Sequence, residues 1–220
     1  MLAMLPMYDR PEVWAETAAA WVNMRDALRE EGLEAPDELD RTVDYNDSWT
    51  RPDLVLGQAC GLPYIQHLSN KVSLIGAIDL GLSGCAPGQY NSHIIVRATS
   101  GLALDDLAQM RYAYNTPCSQ SGLGSLQKMG LARGRGIQTG SHRASIQLVA
   151  EGGAEYAAID AQSWKLALKY EPAHAALRIL TSSVPTPAPA FIARLGADIK
   201  AYRRALDVMP ITPADYASLL

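Results

Sequence analysis

In the stretch Asn115-Thr116-Pro117-Cys118-Ser119-Gln120-Ser121-Gly122, two hydroxyls and a glycine stand where a strand is predicted to give way to a helix. The first turn of a helix has backbone N–H groups without intrahelical partners and a partial positive charge, so such a start can receive an oxyanion. The Ser119 and Ser121 hydroxyls add two donors. Alone, Ser-x-Ser-Gly is also an ordinary N-cap. A second start at Thr139-Gly140-Ser141-His142 carries an imidazole in its first turn, and two such starts aimed at one cleft hold an anion without any lysine. His142 alone reads equally as a surface or capping residue. Ala157-Ala158-Ile159-Asp160-Ala161 then delivers a carboxylate at the C-terminal end of a buried strand, where ligands bind in open α/β sheets. Asp160 there accepts a proton-bearing ligand group or an amine, or it caps the helix that contains Trp164.

Tyr8 ends the first predicted strand, Gln58 to Tyr64 follow the second, and Gln89-Tyr90 precede the fourth. Tyrosines at strand ends close over a ligand with a ring and a hydroxyl, so this set suggests an opposing wall. Cys60, Cys85 and Cys118 have no CxxC spacing and no histidine at zinc-like intervals, so neither a metal nor a cofactor is expected. An enzyme with Cys118 as nucleophile is the competing chemistry, because a helix start lowers a thiol pKa. His142 is the only candidate base, and no third residue orients it. Cys60 and Cys85 each close a loop after neighbouring strands and are a candidate disulfide pair in an exported protein; buried thiols are the alternative.

Composition removes other classes. With 220 residues, 48% of them hydrophobic, the chain can bury one large domain or two lobes. Its 19 basic and 23 acidic residues give no surplus to neutralise a phosphate backbone, so nucleic acid is not an expected partner. No apolar run approaches the roughly 20 residues of a membrane span. The start, Met1-Leu2-Ala3-Met4-Leu5-Pro6, lacks a basic n-region, which predicts either a periplasmic protein whose leader has been removed or a cytoplasmic one.

The elements that must position these residues alternate. Strands are predicted at Leu2 to Met7, Asp53 to Gly57, Val72 to Ile78, Ser92 to Arg97, Arg111 to Asn115, Tyr156 to Ile159 and Leu177 to Leu180. Between them lie a helix carrying Trp14, Ala18, Trp21, Met24 and Leu28 up to Gly32, a weak helix before Arg51, and a short one at Leu104 to Met110. Further helices follow from Ser119, over Ser141 to Glu151, Ala161 to Lys169 and Ile192 to Leu206, with a short terminal one near Asp215-Tyr216. Thr181 to Pro189, with three alternate prolines, reads as a crossing strand or hinge. Under a ligand-binding reading, two lobes close about hinge strands near Ile94 to Ala98 and near Val184 to Pro189. This alternation is α/β.

At this point the chain resembles the phosphate-, phosphite- and phosphonate-binding proteins of ABC importers, the PhnD-like family with a type II periplasmic-binding fold. The resemblance rests on Leu5-Pro6-Met7-Tyr8, on Gly57 to Tyr64, and on Pro87-Gly88-Gln89-Tyr90 followed by Ile94 to Arg97. It continues through Ser119-Gln120-Ser121-Gly122, Gly140-Ser141-His142 and Ala158-Ile159-Asp160. It implies two α/β lobes joined by hinge strands around a ligand cleft, lobe one being residues 1–95 plus 187–220 and lobe two 96–186. It further implies a small oxyanion held by Ser119, Gln120, Ser121 and His142, with Asp160 taking the remaining ligand group and Tyr8 and Tyr90 coming from the other lobe. The implied partner is an ABC permease, and no catalytic residue is expected. The chain is shorter than a typical receptor of this kind, and Gln120 stands where a small hydroxyl residue is common. A cytoplasmic ligand-sensing or orphan binding domain is the alternative role for the same residues.

Overall fold

The computed structural model describes residues 1–208 and 211–219. In chain order the elements begin with β1 (Leu2–Ala3), α1 (Trp14–Glu30), α2 (Tyr45–Ser48), β2 (Leu54–Ala59) and α3 (Gly61–Pro63), which runs into a π-turn over Tyr64–Leu68. Next come β3 (Val72–Ile78), β4 (Gln89–Tyr90), β5 (Ser92–Arg97), a 3₁₀ segment over Leu104–Gln109 and β6 (Tyr112–Tyr114). A π-turn over Gln120–Gly124 leads into α4 (Ser125–Lys128), followed by β7 (Gly136–Gln138), α5 (His142–Ala150), β8 (Tyr156–Asp160) and α6 (Ala161–Tyr170). The chain ends with β9 (Leu177–Ser182), β10 (Thr186–Pro187), β11 (Ala190–Arg194), α7 (Ile199–Ala205) and β12 (Ile211–Thr212).

These elements form two compact units. The first comprises Met1–Gly81, Ala86–Gln89 and Pro187–Leu220, and the second Leu82–Cys85 and Tyr90–Thr186. The first unit is built on a sheet of order β1-β2-β11-β3-β12, in which β2 runs parallel to β1 and β11 antiparallel to both of its neighbours. Successive side chains of a strand point to opposite faces. Accordingly Ala3, Leu5, Leu56 and Phe191 join Trp21, Met24, Leu28 and Tyr202 in one core, while Leu2, Met4, Leu54, Ala190 and Ile192 join Tyr64, Leu68 and Tyr216 in another. Burial on both faces explains why these strands read as continuous apolar runs. In the second unit the order is β7-β6-β8-β5-β9. Ile95, Ala157 and Ile159 pack with Ile146, Val149 and Trp164 on one face; Ile94, Val96, Tyr156 and Ala158 pack with Leu107 and Leu126 on the other.

Several sequence expectations are corrected by these contacts. The helix expected over Ile192–Leu206 begins only at Ile199, because Ala190–Arg194 is a strand held between β2 and β3. Its Ala-Phe-Ile-Ala run is buried on both sides and so shows neither period. Asp198 starts the true helix by accepting from the N–H groups of Lys200 and Ala201. Strand β7 was not expected at all; it is three residues long and largely exposed at a sheet edge, so it has no hydrophobic signature. Of the expected α1 face, Trp21, Met24 and Leu28 are buried, whereas Trp14 and Ala18 are exposed and the Arg41 guanidinium lies over the Trp14 ring at 5.3 Å. Gly32, at φ 77, ends α1 as its sequence position suggested. Strand β5 pairs with both β8 and β9, so Ile94 to Arg97 is the interior of a sheet rather than a hinge, and residues 90–95 fold with the second unit. Met209, Pro210 and Leu220, inside the C-terminal stretch expected in lobe one, lie outside the described residues.

Candidate functional site

The second sheet brings three strands side by side in the same direction: β7 is parallel to β6, and β6 is parallel to β8. Each of them runs out of the same edge of the sheet into a helix start. After β6 the chain turns through Pro117 to Ser119, after β7 through Thr139 and Gly140 to Ser141, and β8 ends directly on Asp160. The first two exits are tied together by the N–H groups of Thr139 and Gly140, which donate to the carbonyls of Tyr114 and Asn115 at 2.9 Å each. The third is tied by the Ala161 N–H, which donates to the Asn91 carbonyl at 2.9 Å.

Each start is capped by the residue its sequence predicted. Ser119 Oγ accepts from Gly122 N at 3.0 Å, Ser141 Oγ from Ala144 N at 3.1 Å, and Asp160 Oδ1 from Ser163 N at 2.8 Å. Capping and anion binding are therefore not alternatives here, because a capping serine accepts with its oxygen and keeps its O–H to donate. The three starts meet at the imidazole of His142. Its Nε2 lies 3.0 Å from Ser121 Oγ, 3.2 Å from Asp160 Oδ2 and 3.4 Å from Asn115 Nδ2. Asp160 is 3% exposed, so its carboxylate meets the ring out of solvent. His142 Nδ1 is buried and makes no hydrogen bond among the described residues.

Burial pulls the His142 imidazole below its ordinary pKa, against the opposing pull of the Asp160 charge and the Ala158 backbone carbonyl. The ligand-free ring is thus held towards the neutral form. His93, on β5, is also lowered by burial, with Asp160 again opposing, and its Nδ1 pairs with Ser182 Oγ at 2.8 Å. Ser121, His142 and Asp160 do not make a catalytic relay. Such a relay needs hydroxyl and carboxylate on opposite ring nitrogens, and here both address Nε2. Cys118 instead faces the Thr116 hydroxyl at 3.6 Å. Cys60, Cys85 and Cys118 are all thiols, so Cys60 and Cys85 are not joined.

Gln120, Tyr90 and Tyr8 are the remaining expected residues. Gln120 is buried, and its amide donates to Thr186 Oγ1 at 2.9 Å. Tyr90 belongs to β4 and is 2% exposed. Tyr8 lies in a half-buried turn of the first unit. Asn115 is the residue that the motif contained and the functional reading passed over. A Cβ on Gly122 would stand 2.1 Å from Asn115 Oδ1, so the glycine is needed to seat the amide that faces His142. No spacing rule signals that contact.

In the first unit, a cavity of ≈ 430 Å³ is lined by Leu5, Asp9, Trp14, Arg41, Asp44 and Tyr45 among others. Its carboxylates are each hydrogen-bonded: Arg41 donates to both Asp9 oxygens, at 2.6 and 3.2 Å, Asp40 accepts from the N–H groups of Thr42 and Val43, and Asp44 from that of Asn46.

Residues 54–209 match the model of a family described as ABC transporter, phosphonate, periplasmic substrate-binding protein. That is well over half of the 220 residues. The chain belongs to that family. The matched segment contains every residue of the His142 cluster but not Tyr8. It is a family of binding proteins, not of enzymes. Among solved structures, PhnD1 from Prochlorococcus marinus, in complex with methylphosphonate, is similar with a TM-score of 0.69 at 18% identity, over 94% of this chain and 82% of that one. A Xanthomonas citri protein bound to chloride gives 0.68 at 18%, over 94% and 82%. A binding component of an ABC phosphonate transporter from Pseudomonas aeruginosa gives 0.65 at 15%, over 92% and 71%. These likenesses establish the α/β periplasmic-binding fold. No curated protein matches the sequence. Among the described residues, no helix is long and apolar enough to cross a membrane.

Proposed function

We propose that this family member captures a small oxyanion, a phosphonate or phosphate, at the three helix starts around His142, and presents it in the periplasm to an ABC permease. The observation that carries the proposal is the convergence of Ser121, Asp160 and Asn115 on one imidazole nitrogen where three helices begin. Helix starts supply oriented N–H donors, the serine hydroxyls supply two more, and the ring supplies a donor paired with the buried Asp160 carboxylate. Asp160, with Ser163 N on one oxygen and His142 on the other, acts on the ligand through the ring. The methylphosphonate bound by the Prochlorococcus protein supports the choice of anion class.

The test is a thermal shift of the purified protein against phosphate, phosphite, alkyl- and aminoalkylphosphonates, sulfonates and small carboxylates. A ligand that binds only the folded state raises its melting temperature. A rise with phosphorus oxyanions that is lost in Ser121→Ala and His142→Ala supports the assignment. A rise that survives in both variants places the anion elsewhere.

A further inference from the structure

We propose that His142 takes up a proton as the anion arrives, so that this site captures an anion and a proton together. The inference rests on the proposed function and adds to it a charge state and a pH dependence. Three observations carry it. First, the cluster Ser119–Gly122, His142 and Asp160 contains a carboxylate and no lysine or arginine. A bound oxyanion brings a second negative charge close to Asp160 in a water-poor site, and two such charges disfavour each other strongly. The imidazole is the one group of the cluster able to become positive between them. Second, Nε2 already stands 3.2 Å from Asp160 Oδ2, in place for a charge-assisted bond once the ring is an imidazolium. Third, Nδ1 is buried without a hydrogen bond, while the Ala158 carbonyl favours the protonated ring. Burial holds the ring towards the neutral form, and Nδ1 is the ring nitrogen still open to a ligand oxygen that would favour the doubly protonated form.

The remaining charges near α5 do not supply the missing cation. Arg143, next in the chain, is held by Glu171 at 2.9 Å. His93, on the neighbouring strand, is itself kept towards neutrality by burial. Arg97 is engaged with the carbonyls of Val149 and Ala154. The proton balance is simple: solvent supplies one proton, the ring nitrogen binds it, and no bond to the anion is made or broken. The competing balance keeps the proton on the ligand, whose P–OH donates within the cluster beside a neutral ring.

The experiment uses the intact protein and methylphosphonate. Calorimetric titration near about pH 8, in buffers of different ionisation enthalpy, counts protons exchanged; this pH lies above the ordinary histidine pKa of about 6.5. Uptake of roughly one proton per ligand is expected, with affinity falling about tenfold per pH unit above the complex's own ionisation. Imidazole ¹⁵N spectra should show His142 neutral when empty and doubly protonated in the complex, while the ³¹P shift reports a fully ionised ligand. Binding heat independent of buffer overturns the inference, as does a protonated ligand beside a neutral ring. In either case the anion site itself stands. Absence of binding by methylphosphonate and by inorganic phosphate alike overturns both the site and the proton uptake.

Discussion

Both units are five-stranded sheets covered on their two faces, yet they treat charge differently at their strand ends. In the first, the strand β1 opens onto a cavity whose arginine is satisfied by Asp9 and lies over Trp14. The Asp40 carboxylate there is held low by the N–H groups of Thr42 and Val43. In the second, three parallel strands feed three capped helices, and the cluster ends on a buried ring nitrogen that nothing in the described chain completes. A surface whose polar groups complete one another is finished without a partner. A buried polar atom left over costs stability unless something else is bound, and such costs concentrate at functional sites.

The strongest way to break this contrast is at His142. His142→Ala removes the ring and leaves the buried Asp160 carboxylate and Ser121 hydroxyl without that partner, and leaving a buried polar group unsatisfied costs on the order of 1–3 kcal/mol. Methylphosphonate affinity is expected to fall by more than about a hundredfold, read by calorimetry. Undiminished affinity would mean that the two units do not differ in the way described. Next in size is Gly122→Ala, whose Cβ collides with Asn115 Oδ1 and approaches Ser119 Oγ at 3.0 Å. Overpacking of this kind costs about 1–3 kcal/mol. Combining it with Asn115→Ala should recover part of the loss in a denaturant titration, and strict additivity would argue against the seat.

A smaller effect follows from acid. The folded His142 pKa lies below that of the unfolded chain, so between the folded value and about 6.5 the unfolded state binds more protons and stability rises with pH. Ligand-free protein should therefore lose melting temperature as pH falls through that window, and His142→Asn should flatten the curve. An unchanged slope in the variant assigns the acid sensitivity to another group. Ser119→Asp separates capping from binding: it keeps the cap within about 1 kcal/mol while adding a like charge at the anion site. Stability near the parent with weakened phosphonate binding is expected, and equal binding removes Ser119 from the site. Arg41→Ala, in the first unit, should cost about 1.5–3 kcal/mol in thermal melts, because the Asp9 side chain it leaves is 7% exposed, and should leave phosphonate affinity unchanged. A drop in affinity there would draw the first unit's cavity into the function.

Much of the site is visible in the chain because capping is local. Ser119, Ser141 and Asp160 each bond an N–H three residues ahead, so three residues suffice to signal a helix start. Tyr90 shows the limit of the same logic. Its place at a predicted strand end says nothing of its burial: it is 2% exposed, and burial depends on the neighbours that the fold brings to it. Asn115 shows the limit again, since its contact with His142 spans 27 residues and involves no periodic pattern.

The amino-acid order by itself determined the α/β alternation, the buried strands Val72–Ile78 and Ser92–Arg97, the caps, and the exclusion of a polybasic surface. These depend on side-chain period, on hydrogen bonds a few residues long and on net charge. Tertiary structure alone decided that Ala190–Arg194 enters between β2 and β3, because an apolar run buried on both faces is ambiguous until its neighbours are known. It also decided that β7, β6 and β8 lie side by side and parallel, which is what turns three separate helix starts into one site. Finally, it holds the His142 ring towards the neutral form, since the desolvation that shifts it comes from residues far apart in the chain packing around one ring.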